Sequence, residues 1–269
     1  MPPLSPSSSS PSSPSSHDSV VAALRAAGCV FAEDEAQLIL SAARTPQELA
    51  AMVDRRVGGL PLELVVGWAE FHGLRIAVEP GVFVPRRRTE FLVEQALAQA
   101  PAASVVVDLC CGSGAVGAAL ATALGQVELH AADIDPAAVR CARRNVAALG
   151  GHVHTGDLFA ALPDDLRGRI DILAANVPYV PTDQVGLLPA EARDHEPLVA
   201  LDGGTDGLDV LRRVAADAPH WLAPGGCVLV ETSERQTRAA LDAFTASGLK
   251  ARLAVSEELY ANVVIGTRP

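Results

Sequence analysis

A mostly parallel α/β sheet covered on both faces, preceded by a small helical domain, is predicted by three observations. From Thr89 onward, apolar segments of strand length alternate with segments bearing helix start and stop signals. Those strand segments are near-continuous runs of Val, Ile, Leu and Ala, the composition of strands buried on both faces. Ahead of Thr89 the pattern is instead one of short helices with apolar periodicity. At 269 residues the chain is long enough to bury a large core and a smaller unit beside it.

Residues 1–16 are Met, Leu and otherwise only Ser and Pro, too little apolar surface to offset the entropy of ordering, so a disordered tail is expected. A first helix is expected to open at Asp18 or Ser19 and stop at Gly28, and a second to run from Ala32 to Ala43. Thr45-Pro46-Gln47-Glu48 reads as a capping box with Pro at the first helical position, and Gly58-Gly59 ends that helix. Leu74–Val78 and Val82–Val84, split by Glu79-Pro80-Gly81, are expected to form a hairpin leading into the larger domain. The domains are therefore drawn as 17–85, helical with the hairpin, and 86–269, the sheet.

Seven strands are expected in that sheet: Ser104–Leu109, Val127–Asp133, His152–Thr155, Ile170–Ala175, Cys227–Glu231, Leu249–Val255 and Tyr260–Thr267. Asp135-Pro136 starts a helix that ends before Gly150, and Ser233 with Gln236 makes another capping box.

Composition narrows the function. A formal net charge of −11 argues against a broad phosphate-binding face, so no stable nucleic-acid binding is expected. The one basic run, Arg86-Arg87-Arg88, reads either as a solvated loop or as a local clamp for a phosphate or carboxylate. Cys29, Cys110, Cys111, Cys141 and Cys227 have neither a zinc spacing nor a disulfide framework and are read as reduced core residues of a cytoplasmic protein, with no metal site. No apolar segment has the length of a membrane span.

Two constellations carry chemistry. Val105-Val106-Val107-Asp108 runs into Leu109-Cys110-Cys111-Gly112-Ser113-Gly114 and then an Ala-rich helix, a glycine turn that lets a ligand approach the backbone near free helix N–H groups. It has no P-loop ending and fits the three-glycine dinucleotide fingerprint poorly. Asp133 closes the next strand, where a carboxylate accepts both hydroxyls of a ribose, and Asp157 follows the third, in reach of an adenine amino group. Asp135 reads as a helix cap, whereas Asp108 serves equally to tie down the turn or to touch the ligand. The second constellation is Asn176-Val177-Pro178-Tyr179, a polar side chain, a constrained backbone and an aromatic ring at a strand's carboxyl end. It suits a grip on a planar NH2 group.

These residues resemble the motifs of class I S-adenosylmethionine-dependent methyltransferases that act on nitrogen. With Phe83-Val84-Pro85-Arg86-Arg87-Arg88-Thr89-Glu90, Glu191-Ala192-Arg193-Asp194-His195-Glu196-Pro197 and Gly203-Gly204-Thr205-Asp206-Gly207-Leu208, the chain is similar from about Arg55 onward to the HemK/PrmC family of protein glutamine N5-methyltransferases. The resemblance implies a Rossmann-like seven-stranded sheet with a last antiparallel strand and an N-terminal helical domain that helps recognise a protein substrate. The first substrate it suggests is the Gly-Gly-Gln loop of a peptide chain release factor. It implies cofactor contacts from Asp108, Cys110, Gly112, Gly114, Asp133, Asp157, Asn176 and Thr89. On the acceptor side it implies that the Asn176 side-chain oxygen and the Val177 carbonyl accept the two amide N–H groups while Tyr179 packs on the amide plane. Glu191, Arg193, His195 and Glu196 belong to a loop that either shapes the acceptor pocket or is structural.

Two departures stand out. The family usually has Pro-Pro where this chain has Val177-Pro178; the carbonyl survives, and Pro178 still biases Val177 toward the extended region. Arg87-Arg88 replaces what is more often Pro followed by an acid, which alters the electrostatics of the entrance. Adenine-N6 methylation of nucleic acid, and a paralogue that binds without turnover, are the competing functional readings.

Overall fold

The computed structural model describes residues 16–269, so the expected Ser/Pro tail lies outside the described residues except for Ser16. That serine opens α1 (Ser16–Ala26), ahead of the Asp18 start expected, because its carbonyl accepts from the Ser19 hydroxyl at 2.8 Å. The chain divides into two compact units at Val66/Gly67.

In the first unit α1 is followed by α2 (Ala32–Ala42), α3 (Pro46–Val57) and α4 (Leu62–Val66). Val20, Val21, Leu24, Ala36, Ile39, Met52 and Val65 form its core. Thr45 caps α3 by accepting from the Glu48 N–H at 3.1 Å; Glu48 returns not to Thr45 but to the N–H of Arg44, at 2.7 Å. A nearly buried pair, Arg56 Nε to Glu35 Oε2 at 2.6 Å, ties α3 to α2.

The second unit opens with a hairpin that differs from the expected one. β1 (Trp68–Phe71) pairs antiparallel with β2 (Leu74–Ala77) around His72-Gly73. Both turn residues have positive φ, 50° and 73°, as a two-residue turn matching the strand twist requires. Val82–Val84 is not a strand: the Val82 N–H closes a turn on the Glu79 carbonyl, the Val84 N–H goes to Glu196, and Pro85 has no N–H to give. The hairpin therefore groups with the sheet unit and not with the helices.

The sheet then builds from α5 (Glu90–Gln99), β3 (Val105–Leu109), α6 (Ala115–Leu124), β4 (Glu128–Asp133), α7 (Pro136–Val146), β5 (His152–Thr155), β6 (Ile170–Ala175), α8 (Ala190–His195), α9 (Asp209–Trp221), β7 (Leu222–Thr232), α10 (Thr237–Ala246), β8 (Lys250–Ser256) and β9 (Ala261–Thr267). Its strand order is β5-β4-β3-β6-β7-β9-β8, parallel except for β9, which runs antiparallel to both neighbours as the resemblance implies. Alternate residues of β6 feed two cores. Ile172 and Ala174 meet α5 and α6, while Leu173 and Ala175 meet α9 and α10, which is why the strand is apolar from Ile172 onward.

β7 starts five residues before the expected Cys227. Leu222 already pairs with Ile170, and Ala223-Pro224-Gly225-Gly226, a turn by composition, is carried as an irregularity within the pairing. At Gly226 any Cβ would run into the Ile170 carbonyl, so glycine is what permits the close approach. Among the described residues no helix is long and apolar enough to cross a membrane.

Candidate active site

The sheet reverses its winding between β3 and β6, and ligands of open α/β sheets bind at the carboxyl ends of strands at such a point. Register fixes what meets there. Leu109 pairs with both Ala132 and Ala175, so Cys110, Asp133 and Asn176 follow side by side. The cofactor-side and acceptor-side motifs thus share one edge, with Asp157 two residues beyond β5.

The turn after β3 is tightly wound: Cys110, Gly112 and Gly114 all have positive φ, at 53°, 52° and 77°. Glycine suits two of these, and Cys110 is a residue with a side chain held in the left-handed region, which costs about 1 kcal/mol or more and is common at ligand sites. At Gly114 a Cβ would sit 3.1 Å from that of Ala142, so the third position also serves helix packing. Asp108 is buried, and its Oδ2 accepts the Gly117 N–H at 2.8 Å, satisfying a donor in the first turn of α6. Burial pushes the Asp108 carboxyl up to about 8, with the Gly117 bond opposing and Asp133 adding to the shift. Burial, then Asp133 and Asp108, also push the Cys110 thiol up, which disfavours its thiolate.

Asp133 accepts the Gly112 N–H through Oδ2 and the Asp135 N–H through Oδ1, each at 2.9 Å. A carboxylate offers roughly four lone-pair sites, so about two remain for a diol. Asp135 caps α7 by accepting from Ala137 at 2.8 Å, the role expected of it. Asp157 is half exposed and pairs through Oδ2 with Arg213 of α9 at 2.6 Å.

On the acceptor side, Asn176 directs Nδ2 toward the hydroxyl of buried Thr89 at 3.5 Å. Among the described residues nothing donates to its Oδ1 or to the Val177 carbonyl. The rest of the turn is held from outside. Gln236, nearly buried, donates through Nε2 to the Tyr179 and Asp206 carbonyls, each at 2.9 Å, and its Oε1 completes the expected capping box with Ser233. Gly203 and Gly207 pass so close to the Pro178 and Tyr179 carbonyls that neither position has room for a Cβ. Val180 N–H to Leu201 and Gly203 N–H to Val180 close the base of the loop 181–200, at 3.0 and 2.9 Å.

Two arginines of the basic run hold carboxylates of the chain itself, and the third is solvated. Arg86 reaches the buried carboxylate of Glu196, whose Oε1 also accepts the Val84 N–H at 3.3 Å; Arg88 reaches buried Glu231 at 3.0 Å; Arg87 is exposed. Glu196 therefore acts as a brace for the segment before α5. Of its loop companions, Arg193 is exposed on α8 and pairs with its neighbour Asp194, Glu191 is exposed, and His195 is half buried.

Residues 73–188 match the model of the methyltransferase small domain. The release factor glutamine methyltransferase of Geobacter sulfurreducens is 40% identical over 208 residues, covering 76% of this chain and 72% of that protein. The enzyme of the same description from Mycolicibacterium smegmatis is also 40% identical over 208 residues, covering 76% and 73%. The chain belongs to the release factor glutamine methyltransferase family. A solved methyltransferase from Pyrococcus furiosus superposes with a TM-score of 0.55 at 15% identity, covering 73% of this chain and 89% of that one, which speaks for the fold alone.

Beyond the motifs, this member of the release factor glutamine methyltransferase family builds its site with three residues that sequence reasoning did not place there. Glu231 carried a signal, a lone acid ending an apolar strand. Gln236 was legible only as a helix cap, because its second contact is 57 positions away in sequence. Asn145 bridges the hairpin to the glycine turn, exchanging hydrogen bonds with Ala77 and donating to the Ser113 carbonyl at 2.8 Å, and nothing in its local sequence marks it.

Proposed function

We propose that the chain transfers a methyl group from S-adenosylmethionine to the side-chain amide nitrogen of a glutamine in a protein, with the Gly-Gly-Gln loop of a release factor as its acceptor. One observation carries the reading: Asn176 Oδ1 and the Val177 carbonyl, adjacent just past the carboxyl end of β6, are both without a donor among the described residues. Two acceptors for two amide N–H groups is the complement such a substrate needs.

The residues present fit the cofactor. Asp133 retains lone pairs for a ribose diol, the left-handed turn through Gly112 leaves backbone accessible, and Asp157 faces outward beside it. The cofactor, when bound, supplies an electrophilic methyl on a sulfonium. The protein's part is orientation. An amide nitrogen is a weak nucleophile because its lone pair is delocalised, so holding it in line and accepting both N–H groups favours the charge that develops on it. As the N–C bond forms, the S–C bond breaks; the nitrogen then loses one proton to water, leaving a neutral methylamide and S-adenosylhomocysteine. Tyr179 fits as a neutral wall, since burial and then the neighbouring Glu231 carboxylate hold its phenol well above the usual range. The helical unit and the loop carrying Glu191, Arg193 and His195 serve in recognising the protein partner, in the cytoplasm where release factors act.

The test is methyl transfer from labelled cofactor to a purified release factor, with the modified side chain identified by mass spectrometry. Label on the glutamine of Gly-Gly-Gln is expected. No incorporation into the release factor, or label on adenine of a nucleic acid instead, sinks the proposal.

A further inference from the structure

We infer that Glu231 and Arg88 form a positioning pair that fixes the orientation of the Tyr179 ring against the acceptor; the inference deepens the proposed function and rests on Tyr179 lining the acceptor pocket. The three side chains come from three elements: the 3-10 turn Arg87–Thr89, the turn after β6, and the end of β7. They close a ring of hydrogen bonds around one oxygen pair. Arg88 Nη2 donates to the Tyr179 hydroxyl at 2.6 Å, the hydroxyl donates to Glu231 Oε1 at 2.9 Å, and Arg88 Nε donates to that same Oε1 at 3.0 Å. The guanidinium carbon also lies 5.9 Å from the ring centroid.

A hydroxyl that both accepts and donates, each time to a charged partner, has its direction fixed. The side chain can no longer swing its hydroxyl away without breaking both bonds, although a flip of the ring about its own long axis leaves the oxygen in place.

Stability alone does not account for this carboxylate. Its side chain is 3% exposed, and its Oε2 is buried with no partner among the described residues. An acid retained purely to hold the fold is expected to have both oxygens satisfied, because a buried unpaired acceptor is unfavourable and a glutamine or apolar residue of similar size avoids that penalty. A carboxylate is what gives the phenol its strongest acceptor and Arg88 its counter-charge at once. Arg88, whose side chain is 46% exposed, spans from this buried ring to solvent.

The experiment compares Glu231→Gln and Arg88→Lys, each made in the native chain and in Tyr179→Phe. Steady-state kinetics are measured with a release factor as acceptor, together with the cofactor Kd and Tm. In the native background each variant is expected to lower acceptor kcat by about tenfold or more, as ring misplacement would, with cofactor Kd and Tm little changed. In the Tyr179→Phe background, where the hydroxyl is absent, the same substitutions are expected to have little further effect. An equal loss in both backgrounds, or a loss confined to cofactor affinity, overturns the inference.

A second readout needs no turnover. The chain has only two tyrosines, and Tyr260 is 88% exposed, so ring-labelled tyrosine gives separable NMR signals. Glu231→Gln is expected to shift and motionally average the Tyr179 ring signals while leaving those of Tyr260 in place. Unchanged Tyr179 signals overturn the positioning role whatever the acceptor is. If the native chain labels no glutamine, the proposed function fails while this arm still decides the pair.

Discussion

In the proposed function Asn176 is the residue on which the chemistry turns, and its surroundings predict a separable phenotype. Its side chain leans on Thr89, while the backbone of its turn is held by Gln236 and the glycines at 203 and 207. Removing the amide therefore takes away an acceptor without unseating the turn. Asn176→Ala is expected to lower kcat by about 10²–10³-fold, the usual scale for losing one preorganised polar partner of a reacting group. Cofactor affinity by calorimetry is expected to change little. A variant that loses cofactor binding in step with turnover would show Asn176 acting as a cofactor ligand first. Residues of this kind were legible in the sequence because their chemistry is local: Asn before a proline, Asp at a strand end, glycines in a turn. Gln236 and Asn145 were not, because each acts through a partner dozens of positions away that only the fold brings near; Glu231 stood out as an acid at a strand end, but without its distant partners.

At the scale of elements, six of the seven sheet strands fell within a residue of their expected bounds, the central ones because a run buried on both faces has few other places to go. The hairpin was displaced because Glu79-Pro80-Gly81 is the stronger turn by composition, whereas the turn used, His72-Gly73, depends on a histidine accepting positive φ. The outer strand pair β4–β5 carries a device of its own. His130 Nδ1 lies 2.9 Å from His154 Nε2 with the rings stacked, His130 Nε2 lies 3.2 Å from Glu128, and the His152 ring tilts 31° against His130. Desolvation, then His130, His152 and Arg143, hold the His154 imidazole below its ordinary value. The unfolded chain thus takes up this proton at higher pH than the folded one does. The stability linked to His154 is present above about 6.5 and is lost as pH falls through the lowered folded value. The fall in Tm between pH 7.5 and pH 5.5 is expected to be smaller in His154→Gln than in the native chain; an identical fall would place the sensitivity elsewhere.

For the molecule as a whole, the formal net charge of −11 is a global property that no single ion pair offsets. Self-repulsion of that sign weakens the compact state at low ionic strength and is screened within about 8–10 Å at physiological salt. Raising salt from about 10 mM to about 150 mM is expected to raise Tm; a fall would mean that the surface pairs such as Arg212–Asp206 and Arg213–Asp157 outweigh the net repulsion. The same molecule carries its chemistry on a short edge of a rigid sheet and sends one excursion, 181–200, out from it. Val180, Leu201 and Gly203 cinch the base of that excursion, and Glu196 near its end ties it to Val84 and Arg86 in the segment that leads to Thr89. A change confined to the exposed stretch between those ties, at Glu191 or Arg193, would alter the surface offered to a partner while leaving the anchors beneath it in place.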